Sequence, residues 1–165
     1  MATYYNPKII TNNIEFSVDA ANVKSWSGAT SLGTDYGYMA GGYPGEISTV
    51  NRIDYSNDTP TASPKGPLTA GRKYLPATGN TSYGYWIGGS DAPGTTSTIQ
   101  RLDYSSDTTV ALRGPLAATV YRNQAAVTNN TYGYTAGGSY PPSGPNSTRV
   151  QRIEYANDTA TAVDK

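Results

Sequence analysis

Residues 83–131 read YGYWIGGSDAPGTTSTIQRLDYSSDTTVALRGPLAATVYRNQAAVTNNT, and this stretch is the unit that the chain repeats. The three copies span residues 36–82, 83–131 and 132–165, so their starts lie 47 and 49 residues apart. They share the pattern Y-G-Y-x-x-G-G, a variable loop and R-[IL]-[DE]-Y-x-x-D-T, and the first two copies continue to G-P-L. A period of roughly 20 to 50 residues is typical of solenoids and propellers, and its upper end suits a blade of four strands.

Each complete copy predicts four short strands separated by Gly, Pro and Asn turns. In the second strand, Val50, Arg52 and Asp54 share one face while Ile53 and Tyr55 share the other, so we expect sheets to stack on both sides. The Asp-Thr pairs that follow predict turns, because a short carboxylate can accept a hydrogen bond from a backbone N–H two residues on. The predicted strands are Tyr36–Ala40, Tyr83–Ile87 and Tyr132–Ala136, then Val50–Tyr55, Ile99–Tyr104 and Val150–Tyr155, then Thr59–Ser63 and Thr108–Leu112, and finally Lys73–Thr78 and Arg122–Thr128.

The composition predicts a folded chain that depends on neighbours. Only 23 of the 165 residues are Leu, Ile, Val or Phe, whereas fifteen are Tyr and two are Trp, so burial would come from large amphipathic rings. The net charge is zero and no Lys/Arg cluster occurs, which argues against nucleic acid as the main partner. The opening MATYYNPKII does not resemble a secretion signal, and no apolar run approaches the roughly 20 residues of a membrane helix. We therefore expect no membrane insertion and synthesis in a cytoplasm.

The residue types leave little room for catalysis. His and Cys are absent, which excludes Ser-His and Cys-His nucleophiles and imidazole or thiolate metal sites. A carboxylate pair could hydrolyse a glycoside, and Ca²⁺ could sit at the Asp-Thr turns, although the carboxylates are sparse for an oxygen cage. We predict no enzyme, no metal and no cofactor, because six of the twelve acidic residues recur at equivalent positions and so belong to the scaffold: Asp54, Asp58, Asp103, Asp107, Glu154 and Asp158. We expect Arg52, Arg101 and Arg152 to pair with the acidic residue two positions on.

The repeats resemble a known family. The glycine pair after an aromatic strand is similar to kelch repeats, and the phrasing RIDYSNDT…GPL resembles kelch-like repeats in tail proteins of marine cyanophages. The resemblance covers residues 36–165. It implies an all-β fold of about three four-stranded, kelch-like β-propeller blades.

The segment before the repeats, residues 1–35, carries a second resemblance. Ile14, Phe16 and Val18 alternate with polar residues as in a half-buried strand, and Trp26 is the large anchor of the loop that follows. NPKIITNNIEFSVDAANVKSWSG resembles the opening of many marine bacteriophage structural proteins, where it leads into a laminin-G-like jelly roll. We predict that Phe16, Val18 and Trp26 dock the chain in a virion; the alternative is an edge strand followed by a linker.

The loop after each glycine pair differs between copies, and such insertions often form the binding face of a repeat protein. These loops mix aromatic rings with hydrogen-bonding groups that could contact a sugar or a protein loop. They could equally be solvated loops without a ligand. The candidate binding residues are Tyr43, Glu46, Asp91, Tyr140, Pro141, Asn146 and Arg149.

The sequence therefore predicts a non-enzymatic virion protein of a tailed bacteriophage, in a tail fibre, tail tip or other tail appendage. It would build the particle or contact a glycan or protein of the host surface. The alternative is a stand-alone lectin-like or protein-binding propeller module. Three blades are fewer than the roughly 4 to 8 that close a propeller, so we expect partners to be other copies of the chain and other tail proteins. The strand expected before Tyr36 would have to come from residues 24–32.

Overall fold

The structure is a computed structural model. The predicted docking residues Phe16, Val18 and Trp26 lie outside the described part of the chain, as does any strand formed by residues 24–32. Described are residues 35–91, 94–108, 110–119, 122–140 and 144–165, with the backbone alone at Asn123.

Three antiparallel sheets follow one another along the chain, and each keeps its strands in sequence order apart from a small hairpin. The first sheet contains β1 (Tyr36–Ala40), β2 (Val50–Asp54) and β3 (Ser63–Lys65). The second contains β4 (Ala77–Gly79), β5 (Tyr83–Ile87), β8 (Ile99–Asp103) and β9 (Ala111–Arg113), with the hairpin of β6 (Ser90–Asp91) and β7 (Gly94–Thr95) inserted between β5 and β8. The third contains β10 (Arg122–Thr128), β11 (Tyr132–Ser139), β12 (Val150–Glu154) and β13 (Val163–Asp164), and a 3-10 turn covers Tyr155–Asn157.

The predicted all-β class is confirmed, and the sheets are open. The first and second strands of each copy begin where the sequence places them, whereas β11 continues to Ser139 and the second strands end one residue before the predicted tyrosine. The third strands begin later than predicted, at Ser63–Lys65 rather than Thr59–Ser63 and at Ala111–Arg113 rather than Thr108–Leu112, because the register pairs Val50 with Lys65 and Ile99 with Arg113. The fourth strand of the first copy begins only at Ala77, because Tyr74 has a φ of 61° and Pro76 has no N–H to donate.

The sheets are offset from the sequence repeats. β4 and β10 each end one repeat, yet they pair with the Y-G-Y strands β5 and β11 that open the next repeat. Each four-stranded sheet is therefore assembled from two successive repeats.

The three sheets stack face to face, as the alternation in the second strand predicts. The second sheet is buried on both faces, since Leu102 and Ile99 of one strand are both fully buried on opposite sides. One apolar cluster joins the first and second sheets: Tyr38, Val50, Leu68, Trp86, Leu102 and Val110. The other joins the second and third sheets: Tyr85, Ile87, Ile99, Leu116, Ile153, Tyr155 and Ala162.

The central glycine of Y-G-Y makes room for the tyrosine that directly follows the second strand. A Cβ added at Gly84 would lie 2.9 Å from the Tyr104 hydroxyl oxygen, and one at Gly133 would lie 2.7 Å from that of Tyr155. Real side chains do not approach so closely, so the two motifs of the repeat require each other.

Two of the three strand arginines reach the next repeat, and for these two the prediction of a partner two positions on is wrong. The Arg52 Nη1 donates to Asp107 Oδ2 at 2.6 Å, and the Arg101 Nη1 donates to Asp158 Oδ2 at 2.8 Å. A second cation approaches each carboxylate, with Lys65 Nζ 3.0 Å from Asp107 and Arg113 Nε 3.2 Å from Asp158. These ion pairs join one sheet to the next.

The acidic residues two positions after these arginines form local turns instead. The Asp54 carboxylate accepts hydrogen bonds from the backbone N–H and hydroxyl of Ser56, and Asp103 does the same with Ser105. These hydrogen bonds are the main cause of a lowered pKa at Asp54 and at Asp103. The turn role predicted for the Asp-Thr pairs thus belongs to the acid at the end of the preceding strand.

Two buried glutamines also connect the sheets. The Gln100 Oε1 accepts from the backbone N–H of Thr69 at 2.7 Å, and the Gln151 Oε1 accepts from that of Ala118 at 3.0 Å. Thr69 and Ala118 lie just after the G-P-L motifs of the preceding repeats. The glutamine therefore contacts the preceding repeat, whereas the arginine that follows Gln100 contacts the next repeat.

Alkaline pH is expected to weaken the junction of the first two sheets. Burial, and then the charge of Asp107, raise the pKa of Tyr38 to about 12. A tyrosine of the unfolded chain ionises near pH 10. The stability that the protonated Tyr38 contributes is therefore fully present below pH 10 and is lost as the pH rises from about 10 to about 12. Thermal unfolding monitored across this range should show a weaker pH dependence in Tyr38→Phe than in the parent chain. Equal slopes would show that Tyr38 does not govern the loss.

Candidate functional site

The first variable loop packs against a short linking segment, residues 72–74, that leads toward β4. Gly42 donates its N–H to the Arg72 carbonyl at 2.9 Å, and Arg72 donates its own N–H to the Ile47 carbonyl at 3.0 Å. On the other side of the segment, Lys73 and Ser90 exchange two backbone hydrogen bonds of 3.0 and 2.9 Å. The segment therefore lies between the first and second variable loops.

Four side chains from this region form what we call the loop patch: Tyr43, Glu46, Lys73 and Tyr74. The Lys73 Nζ lies 2.6 Å from Glu46 Oε1 and about equally far, 5.8 and 5.9 Å, from the ring centroids of Tyr43 and Tyr74. The two rings are stacked with centroids 6.2 Å apart. The hydrogen bond from Lys73 is the main cause of a lowered pKa at Glu46.

The loop patch rests on a buried cation. The Arg72 side chain is 4% exposed and donates through Nη1 to the Gly88 carbonyl at 3.1 Å, so it ties the linking segment to the start of the second loop. Burial lowers the pKa of Arg72, and the charge of Asp91 opposes this shift. Asp91 belongs to the β6–β7 hairpin and thus lies beside the loop patch.

The remaining candidate residues belong to the third loop, and their described contacts are within the third sheet. Asn146 bridges to Ser139, the Tyr140 N–H is 3.3 Å from the Pro145 carbonyl, and the Arg149 guanidinium pairs with Asp164. Pro141 lies outside the described residues. The structure thus brings Tyr43 and Glu46 together and places Asp91 next to them, and it holds Tyr140, Asn146 and Arg149 on a different sheet.

Sequence reasoning missed Lys73 and Tyr74. The available signal was a basic residue at the same point of both complete repeats, since Arg122 pairs with Ser139 as Lys73 pairs with Ser90. Each linking segment thereby places a cation at the base of the next variable loop.

The loop patch has the chemistry of a recognition surface. Tyr43 is 69% exposed, so one ring face is available for stacking on an apolar or sugar surface, and Glu46 and Lys73 flank it with an acceptor and donors. The carboxylates of Asp107 and Asp158 are engaged by cations of the preceding sheet, which removes them from any calcium site at the Asp-Thr turns. Across the described ranges, no three acidic side chains gather as a metal site would require. The described part of the chain also contains no helix with the length and apolarity to cross a membrane.

Comparison with known proteins establishes the fold at a coarse level. No protein-family model matches the chain, and no curated protein matches it. Among solved structures it is similar to "Structure of YjhT", with a TM-score of 0.64 and 11% identity over 84% of this chain and 49% of that chain. The chain thus spans about half the length of that structure. At this identity the likeness concerns the fold alone.

Proposed function

We propose that the chain is a non-enzymatic virion component of a tailed bacteriophage, made of kelch-like propeller blades, that contacts the host surface through its variable loops. The virion assignment rests on the sequence resemblances at residues 1–29 and 36–165. The observation that carries the binding role is the loop patch, in which an exposed tyrosine ring is flanked by an ion pair.

The propeller architecture is supported by the way the sheets succeed one another. Each sheet is an antiparallel meander in chain order, and each stacks through one face on the next. Propeller blades have this arrangement, whereas a sandwich pairs two sheets around one core.

The scaffold role of the repeated charges supports a binding function over catalysis. Asp158 is 7% exposed and contacts two arginines and the Tyr85 hydroxyl, so its carboxylate is occupied in holding sheets together. The groups that vary between repeats are those at the surface. A ligand that suits them is a host-surface glycan with an apolar sugar face, or a protein loop.

Removal of the exposed ring tests this function. Tyr43→Ala should weaken binding of the full chain to host cells about tenfold, because stacking on an aromatic ring contributes about 1.4 kcal/mol. Tyr43→Phe keeps the ring and should bind nearly as well as the parent. The thermal midpoint should barely change in either variant, since exposed substitutions shift stability by only about 0.5 kcal/mol. Binding by fluorescence of labelled protein on cells is the measurement, and equal binding of all three proteins would remove the loop patch from recognition.

A stand-alone lectin-like or protein-binding module is the second candidate, because the loop patch would serve it equally well. The two functions lead to different expectations for a chain that lacks residues 1–29. A virion protein lacking this segment should be absent from purified particles, as judged by antibody labelling in electron microscopy, and should still bind isolated host surface. Incorporation of the shortened chain into particles would contradict a docking role for that segment.

Release of new reducing ends from host polysaccharide, abolished by a single Asp or Glu substitution, would contradict the non-enzymatic assignment.

A further inference from the structure

The two junctions between sheets are built from the same contacts. A tyrosine of one sheet stacks on a tyrosine of the next, with centroids 5.0 Å apart for Tyr38 and Tyr104 and 4.9 Å apart for Tyr85 and Tyr155. Beside each pair of rings, a carboxylate of the following sheet is held by two cations of the preceding one. One side of a junction thus supplies a tyrosine and two cations, which we call the cationic half. The other side supplies a tyrosine and an aspartate, which we call the acidic half.

The outer face of the third sheet carries a cationic half. Tyr134 lies opposite Arg152 in the strand pairing, as Tyr85 lies opposite Arg101 in the second sheet. Lys165 donates its N–H to the Val150 carbonyl, so it occupies the place that Arg113 holds beside Ile99.

The Arg152 side chain has the same orientation as that of Arg101. Its guanidinium carbon lies 4.3 Å from the Tyr132 ring centroid, as that of Arg101 lies 4.1 Å from the centroid of Tyr83. Its Nε atom is buried and has no hydrogen-bond partner among the described residues. The stacking fixes the side chain in the orientation that binds a carboxylate in the second sheet.

The outer face of the first sheet carries an acidic half. Tyr55 and Asp58 are the repeat equivalents of Tyr155 and Asp158. Tyr55 is 47% exposed, whereas Tyr155 is 7% exposed under Tyr85. Asp58 is exposed, and the described residues supply no cation to it as they do to Asp158. The two outer faces are thus complementary in charge and in aromatic groups.

We propose that the third sheet of one copy docks on the first sheet of a second copy, with Asp58 of the second copy between Arg152 and Lys165 and its Tyr55 stacked on Tyr134. The second copy returns the same contact, which closes a two-copy ring of six sheets. The described residues of one copy form three large sheets, so two copies supply six, and closed rings of this kind have about 4 to 8 blades. The inference rests on the propeller architecture of the proposed function, and it requires neither a virion nor a ligand at the loop patch.

Charge reversal tests the junction in the full chain. The parent should sediment at twice 17.4 kDa at micromolar concentration. Asp58→Arg and Arg152→Asp should each raise the dissociation constant by about 100-fold or more, because each leaves like charges facing in both junctions. An equimolar mixture of the two variants should recover the two-copy mass, because one junction of the mixed ring is then the natural pair and the other is the reversed pair. Recovery also excludes misfolding as the cause of dissociation.

A control reverses a charge away from the proposed contact. Arg149→Asp breaks an exposed ion pair, and this variant should keep the parent's mass. Lys165→Glu provides a milder test at an exposed position and should shift the parent toward the one-copy mass. A parent that stays at the one-copy mass, or forms a larger species, overturns the proposal. So does a mixture of Asp58→Arg and Arg152→Asp that fails to reassociate.

Discussion

Asp158→Ala is expected to lower the free energy of unfolding by about 3 to 5 kcal/mol, because it leaves two cations and a tyrosine hydroxyl without their shared partner. Arg101 Nη1 and Arg113 Nε lie 2.8 and 3.2 Å from the carboxylate, and the Tyr85 hydroxyl donates to it at 2.8 Å. Urea unfolding at a fixed protein concentration measures the loss.

Asp164→Ala is the matched control, since Asp164 also pairs with an arginine. Both partners of that pair are nearly half exposed, at 47% for Asp164 and 44% for Arg149, so the loss should be about 0 to 1 kcal/mol. If the two variants unfold at similar urea concentrations, burial of the Asp158 carboxylate contributes nothing to the joining of the sheets.

Gly114→Ala is the second substitution with a large expected effect, about 3 kcal/mol or more. The added Cβ would overlap the carbonyl oxygens of Ala160 and Thr159, which lie between β12 and β13, and these backbone atoms cannot rotate away as a side chain can. The Gly114 N–H also donates to the Asp158 carbonyl at 2.9 Å, which holds the two backbones at this distance.

Gly137→Ala separates this overlap from the general cost of replacing glycine. Gly137 has a φ of 69° and nothing within 4 Å of an added Cβ, so only backbone strain of about 1 kcal/mol is expected. Differential scanning calorimetry of the two variants gives the comparison. A Gly114→Ala chain as stable as the Gly137→Ala chain would mean that the second and third sheets can move apart without loss.

The strands that could be predicted from the sequence are those whose pattern is local. Tyr36–Ala40 and Tyr83–Ile87 have the predicted bounds, and the glycine pair that follows each adopts positive φ. In the third copy β11 continues through the equivalent pair to Ser139. The start of the fourth strand in the first copy could not be predicted from the sequence. A positive φ at Tyr74 is unusual for a tyrosine, and no neighbouring residue indicates it.

The partners of the strand arginines could not be predicted for a different reason. Arg52 and Asp107 are 55 residues apart, and Arg101 and Asp158 are 57 apart, so their meeting depends on the stacking order of sheets and on no local pattern. An acid two positions on in the same strand is the nearest candidate by sequence alone. In the structure the Asp54 carboxylate instead accepts a hydrogen bond from the Ser56 hydroxyl of its own turn.

The candidate site was predicted in part. Tyr43 and Glu46 were identified because the loop that holds them varies between copies. Lys73 joins them through the backbone pairing of a segment about thirty residues later, and only the folded chain reveals that pairing.

The offset between sheets and sequence repeats affects how such a chain can change length. β4 precedes Tyr83 as β10 precedes Tyr132, so each strand could pair with either Y-G-Y strand. Loss of residues 83–131 in the gene would bring β4 next to β11, and the joined sheet would again have four strands. Gain of a copy would likewise leave no strand unpaired. Duplication and deletion of whole repeats therefore preserve the pairing of every sheet, and the number of sheets can evolve without passing through an incomplete one.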